Sequence, residues 1–315
     1  MTLRVSLVST TFQEASSAAE FLESIRRQTR APDEVIIADA GSTDGTAGII
    51  ESFQEKMPVA LVVIPGANRS RGRNAAIERA RGDAIACADA GCRLDEHWLE
   101  RIVAPLEYGA DAVAGYYQPD ARGLLEQAVA AATIPAADEV NAATFLPSSR
   151  SIAFRKWAWD AAGRYPEHLS HNEDTAFAIA LRRVTAPPGG GMAFEPRALV
   201  YWRPRGSLAG VFVQFFRYAY GDGQCGLWFP HYAKDYVLAV IFLALVAMSL
   251  AHSAGWIALA ALAACYELRY ALRSKRRGAG IWAAALGGLV MAVVGIAHVL
   301  GYSLGRAGRL FRRAR

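Results

Sequence analysis

Cysteine is scarce in this 315-residue chain, and its spacing suits neither metal nor disulfide chemistry. The four residues, Cys87, Cys92, Cys225 and Cys265, form no C-x-x-C pattern and lie in unlike surroundings. They suggest no zinc site and no disulfide framework, which fits a reducing compartment. A secretory signal is missing too. The opening Arg4-Val-Ser-Leu-Val-Ser9 is too short and too β-rich for a signal core and reads as a first strand, so the N-terminal part is expected in the cytoplasm. Acid is nearly absent from the far end. From Tyr236 onward ten Lys and Arg face one carboxylate, Glu267, whereas the preceding part holds 24 bases and 28 acids. The net charge of +5 therefore lies off the folded domain, which argues against nucleic acid as a partner. It sits beside apolar runs, where it faces anionic headgroups or sets membrane orientation.

What is present divides at the same place. The hydrophobic fraction of 53% is concentrated after residue 235. Before it, strand-forming runs at 3–9, 34–38, 59–64 and 84–88 alternate with helix-forming runs at 16–28, 44–56, 71–81 and 95–106. Such alternation predicts an α/β fold with a mainly parallel central sheet and helices on both faces. Ligands of such sheets bind at the carboxyl ends of the strands, so the loops after Val8, Ala38 and Ala88 are the places to look. Beyond Asp111 the pattern loosens into an α+β region that ends near the Pro and Gly cluster 187–191 and a short strand at 199–202. Gly189-Gly-Gly191 has no helix after it and is not a dinucleotide fingerprint.

A catalytic domain is expected over 1–206, and an amphipathic, aromatic helix with a linker over 207–235, lying along a membrane surface. A transmembrane region follows over 236–315, with spans at 236–252, 255–272 and 281–300. Three spans put Arg273 to Arg277 on the cytoplasmic side and the basic end on the other; two spans reverse this conflict with the positive-inside rule. A buried helical hairpin is the soluble alternative. His298, inside the last run, either bonds a neighbouring helix or lies near the interface.

Four polar stretches could carry chemistry. Asp39-Ala-Gly-Ser-Thr-Asp44 places a carboxylate at a strand end before a turn and a capping pair; it serves a ligand, or only the turn and cap. Asn68-Arg-Ser-Arg-Gly-Arg-Asn74 brings three arginines into a helix start, either for a diphosphate or as a solvated basic face. Asp89, again at a strand end, can hold Mg²⁺ or Mn²⁺ against a phosphate-rich ligand. Glu173-Asp174 opens a helix, where the macrodipole favours acids and a general base could stand.

In this order and spacing the stretches resemble glycosyltransferase family 2, of the GT-A fold, from about Val5 to Tyr232. Thr10-Thr-Phe-Gln-Glu14 is similar to the family's first-strand motif, with Gln13 for Asn; Ala40 stands for the second Asp of Asp-Asp-Gly-Ser. The resemblance implies a nucleotide-sugar donor held by Thr10, Phe12, Glu14, Asp39, Gly41, Ser42, Arg73, Asn74 and Asp89. Arg73-Asn74 match the family's Ala-Arg-Asn, with Gly72 in place of Ala. It also implies a divalent cation, Mg²⁺ or Mn²⁺, on an Asp-x-Asp motif; here Asp89-Ala-Gly91 keeps the first Asp and loses the second. Glu173-Asp174 resemble the family's Glu-Asp pair, which makes Asp174 the base of an inverting displacement. Gln214, Arg217 and Tyr218 are similar to its Gln-x-x-Arg-Trp element and would contact acceptor or phosphate.

The function so implied is transfer of a sugar to a membrane-associated, lipid-linked acceptor, in cell-envelope glycan or glycolipid synthesis. A processive polysaccharide synthase is the enzymatic alternative. A donor-binding or scaffold protein without catalysis, prompted by Gly91, is the alternative of another class.

Overall fold

The computed structural model describes residues 3–313, and the chain divides into two compact units. The first comprises the chain up to Gln118 together with Ala137–Arg203. Its parallel half alternates as the hydrophobic runs dictate: β1 Val5–Thr11, α1 Ala15–Arg26, β2 Glu34–Asp39, α2 Thr46–Glu51, β3 Val59–Val63, α3 Arg69–Arg79 and β4 Ala84–Cys87. There follow β5 Cys92–Leu94, α4 Trp98–Glu107 and β6 Ala112–Pro119. After α5, which belongs to the other unit, come β7 Ile152–Arg155, α6 Lys156–Ala161, α7 Glu173–Val184 and β8 Met192–Trp202.

The eight strands form one sheet in the order β3-β2-β1-β4-β7-β6-β8-β5. The first four are parallel; β7 runs antiparallel to β4, β6 to β7, and β5 to β8. The sheet is thus mixed rather than mainly parallel, since the later strands enter it as antiparallel neighbours. Side chains alternate across it. Val5, Leu7, Val35, Ile37, Ala84 and Ala86 enter one apolar layer, with Phe21, Leu22 and Ile25 of α1. Val8, Ile36, Ala38, Ile85 and Cys87 enter the other, with Ala76 and Ile77 of α3. Both faces are covered, which is why these strands read as unbroken apolar runs.

The second unit joins Pro119–Ala136 to the chain from Pro204 onward. It holds α5 Leu124–Thr133, α8 Leu208–Cys225, α9 Phe229–Ala251, α10 Ser253–Arg276, α11 Ile281–Ala284 and α12 Gly287–Arg313. Ala128, Val129 and Ala132 of α5 pack with Val211 of α8 and with Ala283, Val290 and Val294. Helices α8 and α12 cross closely over Gly301-x-x-x-Gly305. A Cβ at Gly301 would strike the Phe216 carbonyl, and one at Gly305 the Tyr220 carbonyl. Small residues at that spacing are what lets two backbones approach. His298 on α12 meets Asp235 on α9 at 2.7 Å, both buried.

Two helical stretches, Phe229–Ala251 and Ile281–Leu310, are long and apolar enough to cross a membrane by length and composition. Along the first, Val237, Val240, Phe242, Leu243 and Leu250 are exposed. Helix α10, the middle of the three expected spans, carries Glu267, Arg269, Arg273, Lys275 and Arg276 and is not among them.

Candidate active site

The carboxyl ends of β1, β2 and β4 stand side by side, with Thr11 level with Asp39 and Val8 with Cys87. Three loops therefore meet at one edge of the first unit. The loop after β2 is organised by Asp39. Its buried carboxylate accepts from the Gly41 and Ser42 amides at 3.0 and 2.7 Å, and from the Ser42 and Thr11 hydroxyls at 2.6 and 3.1 Å. Gly41 adopts φ +91°, a left-handed conformation that glycine takes without a Cβ penalty. Asp39, expected among the donor-holding residues, thus also organises its own turn.

The neighbouring loop after β1 is tied to it. Gln13, at φ +57°, donates its backbone amide to Ser42 Oγ at 2.8 Å, while its side chain donates to Thr43 Oγ1 and accepts from the Thr43 amide, both at 3.1 Å. The Glu14 amide donates to Thr46 Oγ1 at 2.9 Å. Between these anchors Phe12 is 58% exposed, an aromatic face open at the strand ends. Thr10 is half-buried and lies against α3: a Cβ at Gly72 would come within 3.0 Å of its methyl group, which accounts for glycine where the family has alanine.

Arg73 on α3 is the hub. Its guanidinium, almost wholly buried, donates to Asp89 Oδ1 at 2.8 Å and to Glu173 Oε1 at 2.9 Å, and rests over the Tyr165 ring. Burial opposes its charge, but Asp89 and Glu173 outweigh this and hold it protonated well above the ordinary range. Arg69 and Arg71, its companions in sequence, are exposed. Asn74 faces inward instead. Its amide nitrogen donates to the Tyr165 carbonyl and Glu167 Oε1, both at 2.9 Å, and its oxygen accepts from the Tyr165 amide and Trp159 Nε1. That clamps the segment after α6 and leaves the side chain engaged with protein, not turned to a donor.

Asp89 is one-third exposed. Burial pushes its acidity down, but Arg73 and Arg150 hold its pKa below the usual carboxylate range. Asp174, half-buried beside Glu173 in the first turn of α7, is shifted the other way. Burial and the Glu173 charge raise its pKa, and Arg73 and Arg150 offset only part of that. Asp89, held below the usual carboxylate range, and Asp174, raised from it, can divide charge-holding from proton transfer. Arg150 escaped the sequence reading: it lies among serines in an irregular segment, with no motif around it.

A hard divalent cation prefers several oxygen ligands. Asp89 Oδ1 is taken by Arg73, Gly91 has no side chain, and the Cys92 thiol is pushed by burial up to about 12. A Cβ at Gly91 would stand 3.8 Å from the Glu14 carboxylate, whose Oε2 accepts from Ser17 Oγ at 2.7 Å. Among the described residues no group of three or more His, Cys, Asp and Glu is assembled for a metal. The residues present do not form the two-carboxylate site of the expected motif. Gln214, Arg217 and Tyr218 lie on α8 in the second unit, where Gln214 bonds Tyr218 Oη at 3.1 Å and accepts from Arg205, and Arg217 is exposed.

Known proteins agree with this architecture. Residues 6–130 match the model of the glycosyl transferase family 2. The chain is 28% identical to the succinoglycan biosynthesis protein ExoA of Rhizobium meliloti over 240 residues, 70% of this chain and 68% of that one. It is 34% identical to an undecaprenyl-phosphate 4-deoxy-4-formamido-L-arabinose transferase of Pseudomonas fluorescens over 118 residues, only 35% of this chain and 34% of its relative. Among solved structures, the mannosyltransferase PcManGT of Pyrobaculum calidifontis, in complex with GDP-Man and Mn²⁺, superposes with a TM-score of 0.67 at 20% identity. The likeness covers 93% of this chain and 87% of that one. Sheet, loop cluster and family match converge: this chain is a glycosyltransferase, with a family 2 domain on a GT-A fold.

Proposed function

We propose that the protein moves a sugar, with inversion, from a nucleotide-sugar donor to a lipid-linked acceptor at a membrane. The observation that carries this reading is the double ion pair of Arg73, which gathers Asp89 and the Glu173-Asp174 pair at the strand ends. The donor's base lies toward Phe12 and the Asp39–Ser42 turn, its diphosphate toward Arg73. Asp174 takes the proton of an acceptor hydroxyl while that oxygen attacks the anomeric carbon. The bond from that carbon to the diphosphate breaks, and the electron pair leaves with the phosphate oxygen. An acceptor phosphate, already ionised, needs no such base.

The membrane side of the proposal draws on the apolar stretches Phe229–Ala251 and Ile281–Leu310 and on the outward Val, Leu and Phe of α9. Exposed apolar surface of that extent is stable in lipid and costly in water. The undecaprenyl-phosphate relative is consistent with a polyprenyl-linked acceptor, and the succinoglycan relative with cell-envelope glycan synthesis. The catalytic unit would then face the cytoplasm, where nucleotide sugars are found.

The test uses detergent-purified full chain with UDP-, GDP- and dTDP-sugars and a polyprenyl-phosphate or polyprenyl-linked glycan acceptor, with product read by mass spectrometry. Transfer is expected with one donor; Asp89→Ala should abolish it with either acceptor, and Asp174→Ala with the acceptor whose hydroxyl must be deprotonated. Unchanged rates in both variants would reject the site; donor binding without any transfer would favour a binding protein that has lost catalysis.

A further inference from the structure

We propose that Arg150 is a second fixed cation of the donor site, holding the diphosphate together with Arg73 on the side where Gly91 has removed a carboxylate. The inference rests on the donor reading above and deepens it.

The backbone fixes where Arg150 stands. Arg150 stands in the turn closed by the Ser151 amide on the Ser148 carbonyl at 3.1 Å, directly before β7, whose Ile152 pairs with Cys87 of β4, two residues short of Asp89. Its neighbours are buried and bonded. Ser149 Oγ meets Tyr165 Oη at 3.0 Å, while Ser151 Oγ accepts from Trp98 Nε1 at 2.8 Å and donates to the Ala198 carbonyl at 3.2 Å. The segment is locked on both sides of the arginine.

The side chain is held as well. Its guanidinium lies 5.6 Å from the Tyr117 ring centroid and 4.9 Å from that of Trp202. Trp202 is the β8 partner of Cys92, the residue that follows Gly91. Arg150 also acts on Asp89, Asp174 and Cys92 electrostatically, which places its field across the whole cluster.

The chemistry follows from charge. A nucleoside diphosphate leaves with its negative charge increased, and only preorganised positive charge stabilises that change without reorganisation. A metal ion supplies it where carboxylates can hold one; this donor set lacks the second. A guanidinium fork matches phosphate oxygens in pairs, and aromatic faces restrict its rotamers before the ligand arrives. Arg73 and Arg150 then approach the diphosphate from α3 and from the start of β7, with Asp89 between them in the fold.

Calorimetry on the full chain in detergent tests this with UDP, GDP, dTDP and the corresponding nucleosides, each in EDTA and in Mn²⁺. One diphosphate should bind the unaltered protein in EDTA within about threefold of its affinity in Mn²⁺, since fixed guanidinium charge needs no added ion. Arg150→Ala should lose about tenfold or more in diphosphate affinity, the scale of one charge-assisted phosphate contact, with nucleoside affinity unchanged. Arg150→Gln keeps a planar head between the rings and carries the same expectation should the alanine variant not fold. Undiminished diphosphate affinity in the folded variant overturns the proposal, as does a rise of about a hundredfold or more with Mn²⁺, which would make the metal the counter-charge. Binding of none of the three diphosphates by the unaltered protein would instead defeat the donor reading itself, and this inference with it.

Discussion

Arg73 and Glu173 lie 100 positions apart in sequence, yet the guanidinium of one donates to the carboxylate of the other at 2.9 Å, both side chains nearly buried. The pair joins α3 to the first turn of α7 and so fixes Asp174, the next residue, beside Asp89. Removing one partner strands the other. Arg73→Met should cost about 3–5 kcal/mol, the scale for leaving a buried charge unpaired. Thermal unfolding of the double variant Arg73→Met, Glu173→Gln should recover part of that loss.

Asp174 has its pKa raised by burial and by Glu173. The active, deprotonated base therefore appears at higher pH than an ordinary carboxylate would give, and the acid limb of kcat/KM with a hydroxyl acceptor should be displaced upward. Asp174→Asn should lower kcat by about 10²-fold or more and remove the limb. Stability runs the opposite way. A carboxylate whose folded pKa is raised favours the fold while protonated and loses that contribution as pH rises through the raised value. The asparagine variant should accordingly melt higher than the parent at neutral pH.

Asn74→Ala separates structural from ligand-binding roles. The amide holds Trp159, Tyr165 and Glu167 through four hydrogen bonds and is buried. Its loss leaves those groups unsatisfied and should cost about 1–3 kcal/mol. Nucleotide affinity, measured below the melting transition, should stay close to that of the parent.

Gly91→Asp probes the missing carboxylate. A Cβ there meets nothing nearer than the Glu14 oxygens at 3.8 Å, so the variant should fold. A second acid beside Asp89 completes a pair suited to a hard cation. Diphosphate affinity should fall in EDTA and recover with Mn²⁺, a metal dependence readable by calorimetry.

The α8–α12 crossing is expected to be intolerant of side chains. Gly305→Val would push against the Tyr220 carbonyl, and overpacking of this kind typically costs about 1–3 kcal/mol. A lower melting temperature and faster proteolysis of the second unit are the measurements.

The parallel half of the sheet was legible because each strand is followed directly by its helix, so local pattern and neighbour coincide. The antiparallel half was not. β7 finds β4 across 64 residues of chain, and β8, read as a short strand at 199–202, extends back to Met192. Asp89 and the Glu173-Asp174 pair stood out as acids at a strand end and a helix start, although the helix dipole alone favours the second. Asp39 and Asn74 stood out equally, but sequence could not tell a side chain that faces a ligand from one that organises its own loop. Only the hydrogen-bond partners distinguish them. Arg150 gave no local signal at all, since what places it is a turn before β7 and two aromatic rings remote in sequence.

The link between Gln13 and the Ser42-Thr43 turn has a practical meaning for anyone wishing to alter donor choice. Because those two segments are stitched together, editing one tip will tug on the other, and single exchanges there should seldom act alone. Phe12, projecting from the stitched platform without a bond of its own to it, is the handle that can be changed in isolation.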